Sequence, residues 1–302
     1  MLMYNRCKSK LDQPINVKDP VYSSDHLQWS DEIRTLIRPL QVIGSIILFV
    51  ISLFFSSFVI AQSIDSLPFQ ASYLTTDALQ QIYVATDEGK IVKLSSDGKK
   101  LFEYNNRRLG QVASIDATNP FNILVYYNDL ATIVLLDRTL SPLKEINLFD
   151  LNIFEAQAVG LSNDNHIWIY DPIEAQLKKI NKEGKILFQS RDLKQVIKST
   201  LNVNSLLEQN NRLYLNDPSK GIFIFDNFGQ LQQQIPILGI HHFQLLEEQL
   251  VYLKEGSIQY YNLKTGEKQT SNNPYTANAT TIRINSQEVI IAQKNKLLIV
   301  AQ

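Results

Sequence analysis

The chain reads QIYVATDEGKIVKL over residues 81–94 and continues SSDGKKLF over residues 95–102. Ile82, Val84 and Ile91 are β-branched residues in short apolar runs, which suit a packed strand and are too short for a helix. The sequences DEG and SDG separate these runs, and glycine adopts the positive φ that a tight hairpin turn needs. The stretch therefore predicts three antiparallel strands joined by two tight turns.

Variants of this stretch recur along the rest of the chain. One apolar residue marks the second strand of each unit, and successive marks are 41, 44, 46, 37 and 39 residues apart: Ile82, Ile123, Ile167, Leu213, Leu250 and Val289. Periods of about 40–50 residues with several strands in each are typical of propeller blades. We therefore predict an all-β fold over residues 62–302, a six-bladed β-propeller of four-stranded blades.

The sixth unit ends with its third strand, Lys296–Val300, which would leave an unpaired sheet edge. An extended segment, Ser66–Gln70, precedes the first unit and can supply the missing strand, since Pro68 is tolerated in an edge strand. We predict that this N-terminal strand closes the ring. Apolar residues at near-helical spacing also predict a short surface helix within Asp192–Asn202.

An export element precedes the repeats. Residues 40–61 contain no charge over 22 residues, which is long enough to span a bilayer, and Arg34 and Arg38 on their N-terminal side favour an N-terminus inside the cell. Residues 39–61 thus predict a cleaved signal peptide, with Ala61 before the cut, or an uncleaved transmembrane helix. Residues 1–38 are polar and form a cytoplasmic extension or reflect an over-long start-site assignment. The repeat domain is then expected in the periplasm or cell envelope, with membrane contact through residues 40–61 if they are retained.

Composition narrows the classes of function. A net charge of −1 provides no basic field for nucleic acid, so no nucleic-acid partner is expected. The single cysteine, Cys7, precedes the apolar segment, which leaves the exported part without a disulfide or a thiol nucleophile. Histidines beyond that segment are few: His166 lies in a turn, while His241 and His242 are adjacent and would face opposite ways in a strand. We therefore predict no metal site, no cofactor and no catalytic residue.

Acidic residues recur at one position of the repeat, in the turn between the second and third strands. Five of the six units have one: Asp87, Asp129, Asp171, Asp217 and Glu255. Equivalent turns lie on one face of a propeller, so these acids are a candidate contact surface for a cation or a basic partner. The alternative is that aspartate favours hairpin turns through hydrogen bonds to its own backbone.

Strings such as Ile82–Val84, Gly89–Leu94 and Asp97–Lys99 resemble the blades of six-bladed TolB-like and NHL-type propellers, a likeness that covers roughly residues 66–302. The export segment ending in Ala61-Gln62 is similar to those of Bacteroidetes envelope proteins. The resemblance implies a periplasmic or surface scaffold, although lactonases and lyases occur among such propellers. We expect a non-enzymatic protein-binding or scaffold module with a protein partner in the envelope. The alternative is a metal-dependent lactonase- or lyase-like enzyme with its site in the channel.

Overall fold

The computed structural model describes residues 64–301. The polar extension and the export segment predicted for residues 1–61 lie outside this range. The described residues form an all-β, six-bladed propeller, in which each blade is an antiparallel sheet of four strands. Between residues 64 and 301 no helix is long and apolar enough to cross a bilayer.

Each blade runs from an inner first strand to an outer fourth strand. The first two blades consist of β2 (Ala71–Thr76), β3 (Ile82–Thr86), β4 (Lys90–Leu94) and β5 (Lys100–Asn105), then β6 (Ser114–Asp116), β7 (Ile123–Tyr127), β8 (Thr132–Leu136) and β9 (Pro142–Asn147). The next two consist of β10 (Ala158–Leu161), β11 (Ile167–Asp171), β12 (Gln176–Ile180) and β13 (Ile186–Gln189), then β14 (Ser205–Gln209), β15 (Arg212–Asp217), β16 (Gly221–Asp226) and β17 (Leu231–Ile235). The last two consist of β18 (Phe243–Leu246), β19 (Gln249–Lys254), β20 (Ser257–Asn262) and β21 (Lys268–Ser271), then β22 (Ala279–Ile284), β23 (Glu288–Gln293) and β24 (Lys296–Ala301) with β1 (Ile64–Leu67).

Strand β1 lies antiparallel to β24, with Ser66 opposite Leu298 and Leu67 opposite Leu297. We predicted this strand at Ser66–Gln70, so it lies two to three residues earlier than expected. Pro68 has no N–H to donate, and the N–H of Phe69 bonds to the carbonyl of Leu67 at 2.9 Å. The chain therefore leaves the sheet edge at Leu67.

The hydrophobic core is divided into six clusters, one between each pair of neighbouring blades. Between the third and fourth blades, for example, Trp168 and Tyr170 pack against Phe223 and Phe225. These four aromatic side chains are at most 1% exposed and fill the space between the two blades. Burying each large side chain contributes about 1.5–3 kcal/mol.

Polar side chains also join neighbouring blades. Gln244 of the fifth blade accepts a hydrogen bond from the N–H of Ile284 at 2.8 Å and donates one to its carbonyl at 2.7 Å, in the sixth blade. Glu208 of the fourth blade is 3% exposed and accepts hydrogen bonds from the third blade, from Ser162 Oγ at 2.6 Å and from the indole N–H of Trp168. Because buried polar groups must be paired, these bonds fix the position of each blade relative to its neighbour.

The connections between blades contain little regular structure. One α-helix, α1 (Leu193–Ile197), lies where the sequence predicts a short surface helix, and Asp192 caps it by accepting the N–H of Lys194 at 2.8 Å. Single 3₁₀ turns occur at Arg107–Leu109 and Leu148–Leu151. These segments and the hairpin turns form the two faces of the propeller.

Candidate functional site

One face of the propeller, called here the connection face, consists of the turns between second and third strands together with the connections between blades. In an antiparallel four-stranded blade, the second strand ends on the side where the fourth strand ends and the next blade begins. Hydrogen bonds join the two kinds of segment: Leu148 N–H donates to the Ala131 carbonyl at 2.9 Å, and Gly239 N–H donates to the Pro218 carbonyl at 2.7 Å. The five acidic turns of the repeat all lie on this face.

Three of the five acidic side chains are exposed: Asp87, Asp129 and Glu255. The first two lie against the same connection. The backbone carbonyl of Asp87 accepts a hydrogen bond from Gln111 Nε2 at 2.6 Å, and a Cβ atom at Gly110 would lie 2.8 Å from the Asp129 carboxylate. These acids are open to a partner, and their role in contact stays a prediction.

The other two acids, Asp171 and Asp217, are at most 2% exposed and are bonded within the fold. Asp171 accepts the N–H of Ile173 at 2.9 Å and pairs with buried Lys178 at 2.7 Å. Asp217 accepts the N–H of Asn202 at 2.8 Å and the N–H of its own turn's Ser219 at 2.8 Å. Local turn chemistry, the alternative considered above, accounts for both carboxylates, and neither is free to contact a partner.

Hydrogen bonds also determine the direction in which the pKa of the Asp217 carboxyl group is shifted. Burial alone would raise its pKa, but the hydrogen bonds from Ser219 and from the Asn202 N–H outweigh burial and hold the pKa below its ordinary value. The charged form is therefore the one that the folded turn stabilises.

The connection face also carries exposed apolar side chains. Among the described residues, six large apolar side chains of this face, from four consecutive blades and their connections, are at least 42% exposed: Leu130, Phe149, Phe154, Ile173, Val196 and Leu238. The rings of Phe149 and Phe154 are stacked, with centroids 6.3 Å apart. The opposite face carries three such residues: Leu79, Phe121 and Phe228. The first set is called the apolar patch below.

Acidic residues accompany the apolar patch in the sequence. Four of its members are each adjacent to an exposed carboxylate, in the pairs Asp129-Leu130, Phe149-Asp150, Phe154-Glu155 and Ile173-Glu174. Within residues 64–301, only the last of these acids has an ion pair, between Glu174 and Lys178 at 2.8 Å. The patch is therefore apolar and negatively charged at once.

A second cluster lies in the central channel, where three blades contribute one side chain each. Tyr73 on β2 and His242, just before β18, meet edge to face with ring centroids 5.8 Å apart. Their blades, the first and the fifth, are not neighbours in the ring, so this contact lies across the channel. Arg283 on β22, in the blade between them, lies close enough to Tyr73 for its charge to lower the pKa of the Tyr73 hydroxyl.

Low solvent access governs the charges in this channel cluster. Burial and the nearby charges of Arg283 and His241 lower the pKa of His242 to about 4, so its imidazole is neutral at neutral pH. Burial raises the pKa of Tyr73 and lowers that of Arg283. Asp116 on β6 accepts the N–H of Leu161 at 2.7 Å, and burial raises its pKa. A neutral imidazole, a phenol and a guanidinium thus share the channel with the carboxyl group of Asp116, whose charge acts on Tyr73.

The sequence shows His241 and His242 only as adjacent residues that would face opposite ways in a strand, and it assigns no role to Tyr73 or Arg283. No local pattern could have identified the cluster, because its members are more than 40 residues apart and meet only when the ring forms. Within residues 64–301 no three His, Cys, Asp or Glu side chains are grouped so that they could hold a metal ion.

No family model matches the chain, and no curated protein matches it. Solved structures do match.

A catalytically inactive variant of virginiamycin B lyase from Staphylococcus aureus, solved with quinupristin, has a TM-score of 0.59 at 13% identity, over 80% of this chain and 99% of that one. A streptogramin B lyase structure has a TM-score of 0.58 at 12% identity, over 81% and 99%. The Pan2 WD40 domain of Neurospora crassa has 0.55 at 9%, over 77% and 89%. At these identities the likeness establishes the propeller fold alone, because propellers support enzymes and binding modules alike.

Proposed function

We propose that this protein is a non-enzymatic, protein-binding propeller whose connection face is the contact surface. The observation that carries the proposal is the apolar patch, in which Phe154 is 61% and Ile173 is 58% exposed. The exposed rings of Phe149 and Phe154 are stacked on each other, exposed apolar surface can mark an interaction site, and aromatic side chains dominate the binding energy of protein interfaces. Phe149 and Phe154 are therefore the proposed anchors.

The charges of the patch define the partner. Carboxylates beside Leu130, Phe149, Phe154 and Ile173 favour a protein segment that combines apolar and basic side chains. The same carboxylates disfavour an anionic lipid surface, which attracts basic segments. The exposed members of the acidic turns, Asp87, Asp129 and Glu255, lie on this face and would add to the attraction.

Site-specific photo-crosslinking tests this proposal. A photoreactive amino acid placed at Phe154 in the full chain should yield one dominant adduct with a protein whose contact region is rich in apolar and basic residues. The same group at Phe228, which is 75% exposed on the opposite face, is the matched control and should not yield that adduct. An adduct of equal yield from Phe228 would contradict the assignment of the face.

We further propose that the protein works in the cell envelope, as the resemblance to TolB-like and NHL-type propellers and the uncharged segment at residues 40–61 suggest. Residues 62–302 would be translocated, while Arg34 and Arg38 stay on the cytoplasmic side. A reporter fused after Gln302 should be active only outside the cytoplasm. The N-terminal residue of the mature protein would be Gln62 after cleavage, or Met1 if residues 40–61 remain as a membrane anchor.

The enzymatic alternative has support from the channel cluster, which places a neutral imidazole, a phenol and a guanidinium together. Two of the structural neighbours are lyases by their descriptions. A lactonase or lyase that depends on a metal would need ligands, and the described residues do not group three of them. Element analysis of the protein purified without a chelator separates the alternatives, since a stoichiometric divalent metal would favour the enzyme.

A further inference from the structure

The first four blades have a β-bulge at the start of their fourth strand, where one residue has no partner on the third strand. In the first blade this residue is Leu101, which lies between two paired residues. The equivalent residues of the next three blades are Leu143, Leu187 and Gln232. Fourth strands begin on the face opposite the connection face, so all four bulges lie at the outer rim of the opposite face.

Three of these four bulges present an apolar side chain to solvent. Leu101, Leu143 and Leu187 are at least 40% exposed, and none of them belongs to one of the six core clusters. The fourth blade has the same bulge with exposed Gln232, so the bulge itself does not require leucine. Exposed leucines that occur singly are ordinary, but these three occupy one position in three neighbouring blades. They are called the rim row below.

Basic side chains accompany the rim row. Over the three hairpins that carry it, residues 95–102, 137–144 and 181–188, there are six basic and three acidic residues, whereas the equivalent residues 226–233 of the fourth blade have one acidic and no basic residue. Arg138, Lys144 and Lys185 are exposed and have no ion pair within residues 64–301. Among the acids, Asp97 pairs with Lys99 at 2.6 Å. The rim is thus apolar and positively charged, the reverse of the charge on the apolar patch.

The chain enters the propeller on the same face as the rim row. Strand β1 takes the place of the fourth strand in the sixth blade, the neighbour of the first, and it begins with Ile64 opposite Val300, near the end of β24. Only residues 62 and 63 separate β1 from the uncharged run at residues 40–61. A chain spans at most about 3.3–3.6 Å per residue, so a run retained in a bilayer would hold the start of β1 within about 11 Å of it.

We propose that the opposite face rests on an anionic bilayer surface through the rim row and its basic neighbours. The proposal depends on the envelope location proposed above and on residues 40–61 remaining in the membrane. The leucines enter the boundary between headgroups and acyl chains, and Arg138, Lys144 and Lys185 are attracted to anionic headgroups. The connection face then points away from the membrane, so the apolar patch stays accessible to its protein partner.

The test uses the full chain inserted in vesicles of phosphatidylcholine and phosphatidylglycerol that contain a lipid with a spin label on its headgroup. In a Cys7→Ser background, a fluorophore on Phe121→Cys reports on the opposite face, and one on Ile173→Cys reports on the connection face. Quenching requires close approach, so the first label should be quenched and the second should not. Added salt, which screens the rim charges, and vesicles of phosphatidylcholine alone should both weaken the quenching.

Variants of the rim give the specific comparison. Leu101→Ser/Leu143→Ser/Leu187→Ser should abolish the quenching of the label on Phe121→Cys. Gln232→Ser, at the same bulge of the fourth blade, is the matched control and should keep it. Lys144→Gln/Lys185→Gln should lower the ratio of docked to undocked chains about fivefold for each lysine. If the triple variant melts below the parent, the lysine variant decides the question.

The possible failures are distinguishable. A chain that does not insert in the vesicles would overturn this proposal together with the membrane anchor, whereas an inserted chain with equal quenching of both labels would overturn this proposal alone. Equal quenching with and without phosphatidylglycerol, or unchanged quenching in either set of variants, would also overturn it. Energy transfer between labelled copies in place of quenching would show that the rim binds a second copy of the chain, which contradicts the proposal as well.

Discussion

Asp217 and Asp129 occupy the same position of the repeat but have different surroundings. Asp217 lies under the connection that follows the third blade and accepts backbone N–H groups from that connection and from its own turn. Asp129 is exposed beside Gly110. At the scale of single residues, the same amino acid therefore stabilises the fold in one blade and is exposed to solvent in another.

This difference predicts different stabilities for two alanine variants. Asp217→Ala leaves two partly buried N–H groups without their acceptor and should lower the free energy of unfolding by about 1–3 kcal/mol. Asp129→Ala should change it by no more than about 0.5 kcal/mol, as is usual for exposed positions. Urea denaturation of both variants checks this, and equal losses would contradict the assigned roles.

His242 predicts a pH dependence of stability. Its folded-state pKa of about 4 lies below the value of about 6.5 for an unfolded chain. Between these two pH values the unfolded state binds more protons than the folded state. The contribution of His242 to stability is therefore complete above about pH 6.5 and is lost as the pH falls towards 4. The loss should amount to about 1–3 kcal/mol.

The variants His242→Gln and His241→Gln separate this contribution from that of other groups. The stability of His242→Gln should vary less with pH between 6.5 and 4 than that of the parent. His241→Gln, changed at an exposed position, should keep the pH dependence of the parent. Thermal unfolding measured at half-unit pH intervals gives the comparison. A parent and a His242→Gln variant with the same pH dependence would show that the imidazole is not desolvated in the fold.

At the scale of elements, hairpins were the part that the sequence predicted best. The repeat predicts third strands at Lys90–Leu94, Thr132–Leu136 and Gln176–Ile180, and β4, β8 and β12 have these bounds, because β-branched runs and turn residues define both ends locally. The short strand β1 was predicted two to three residues late, since its position depends on the register against β24 and not on a local signal. Pairing between distant segments is what a single sequence conveys least.

Strand β1 carries the prediction for ring closure. Leu67 packs in the cluster between the sixth and first blades, and β1 covers the edge of β24. Deleting residues 63–70 should expose that edge and lower the melting temperature or cause aggregation. Replacing the same residues with a Gly/Ser segment of equal length keeps the tether and should have the same effect. Unchanged melting and solubility in both variants would contradict a closing role.

At the scale of the whole molecule, ring formation brings together residues that the sequence keeps apart. Tyr73, His242 and Arg283 come from three blades, and each looks like an ordinary strand residue in its own segment. The apolar patch likewise spans turns and connections of several blades, and no single stretch is unusually apolar. The architecture could be predicted from the repeat, whereas the channel cluster and the patch required the closed fold.

The central claim is that the apolar patch binds a protein, and an affinity measurement tests it most directly. With the partner identified by cross-linking, calorimetry would compare the parent, the double variant Phe149→Ser/Phe154→Ser, and Phe228→Ser on the opposite face. Loss of the two stacked anchors should weaken binding by at least about 30-fold, or about 2 kcal/mol, with Phe228→Ser like the parent. Unchanged affinity in the double variant, with melting temperatures like the parent's, would contradict the claim.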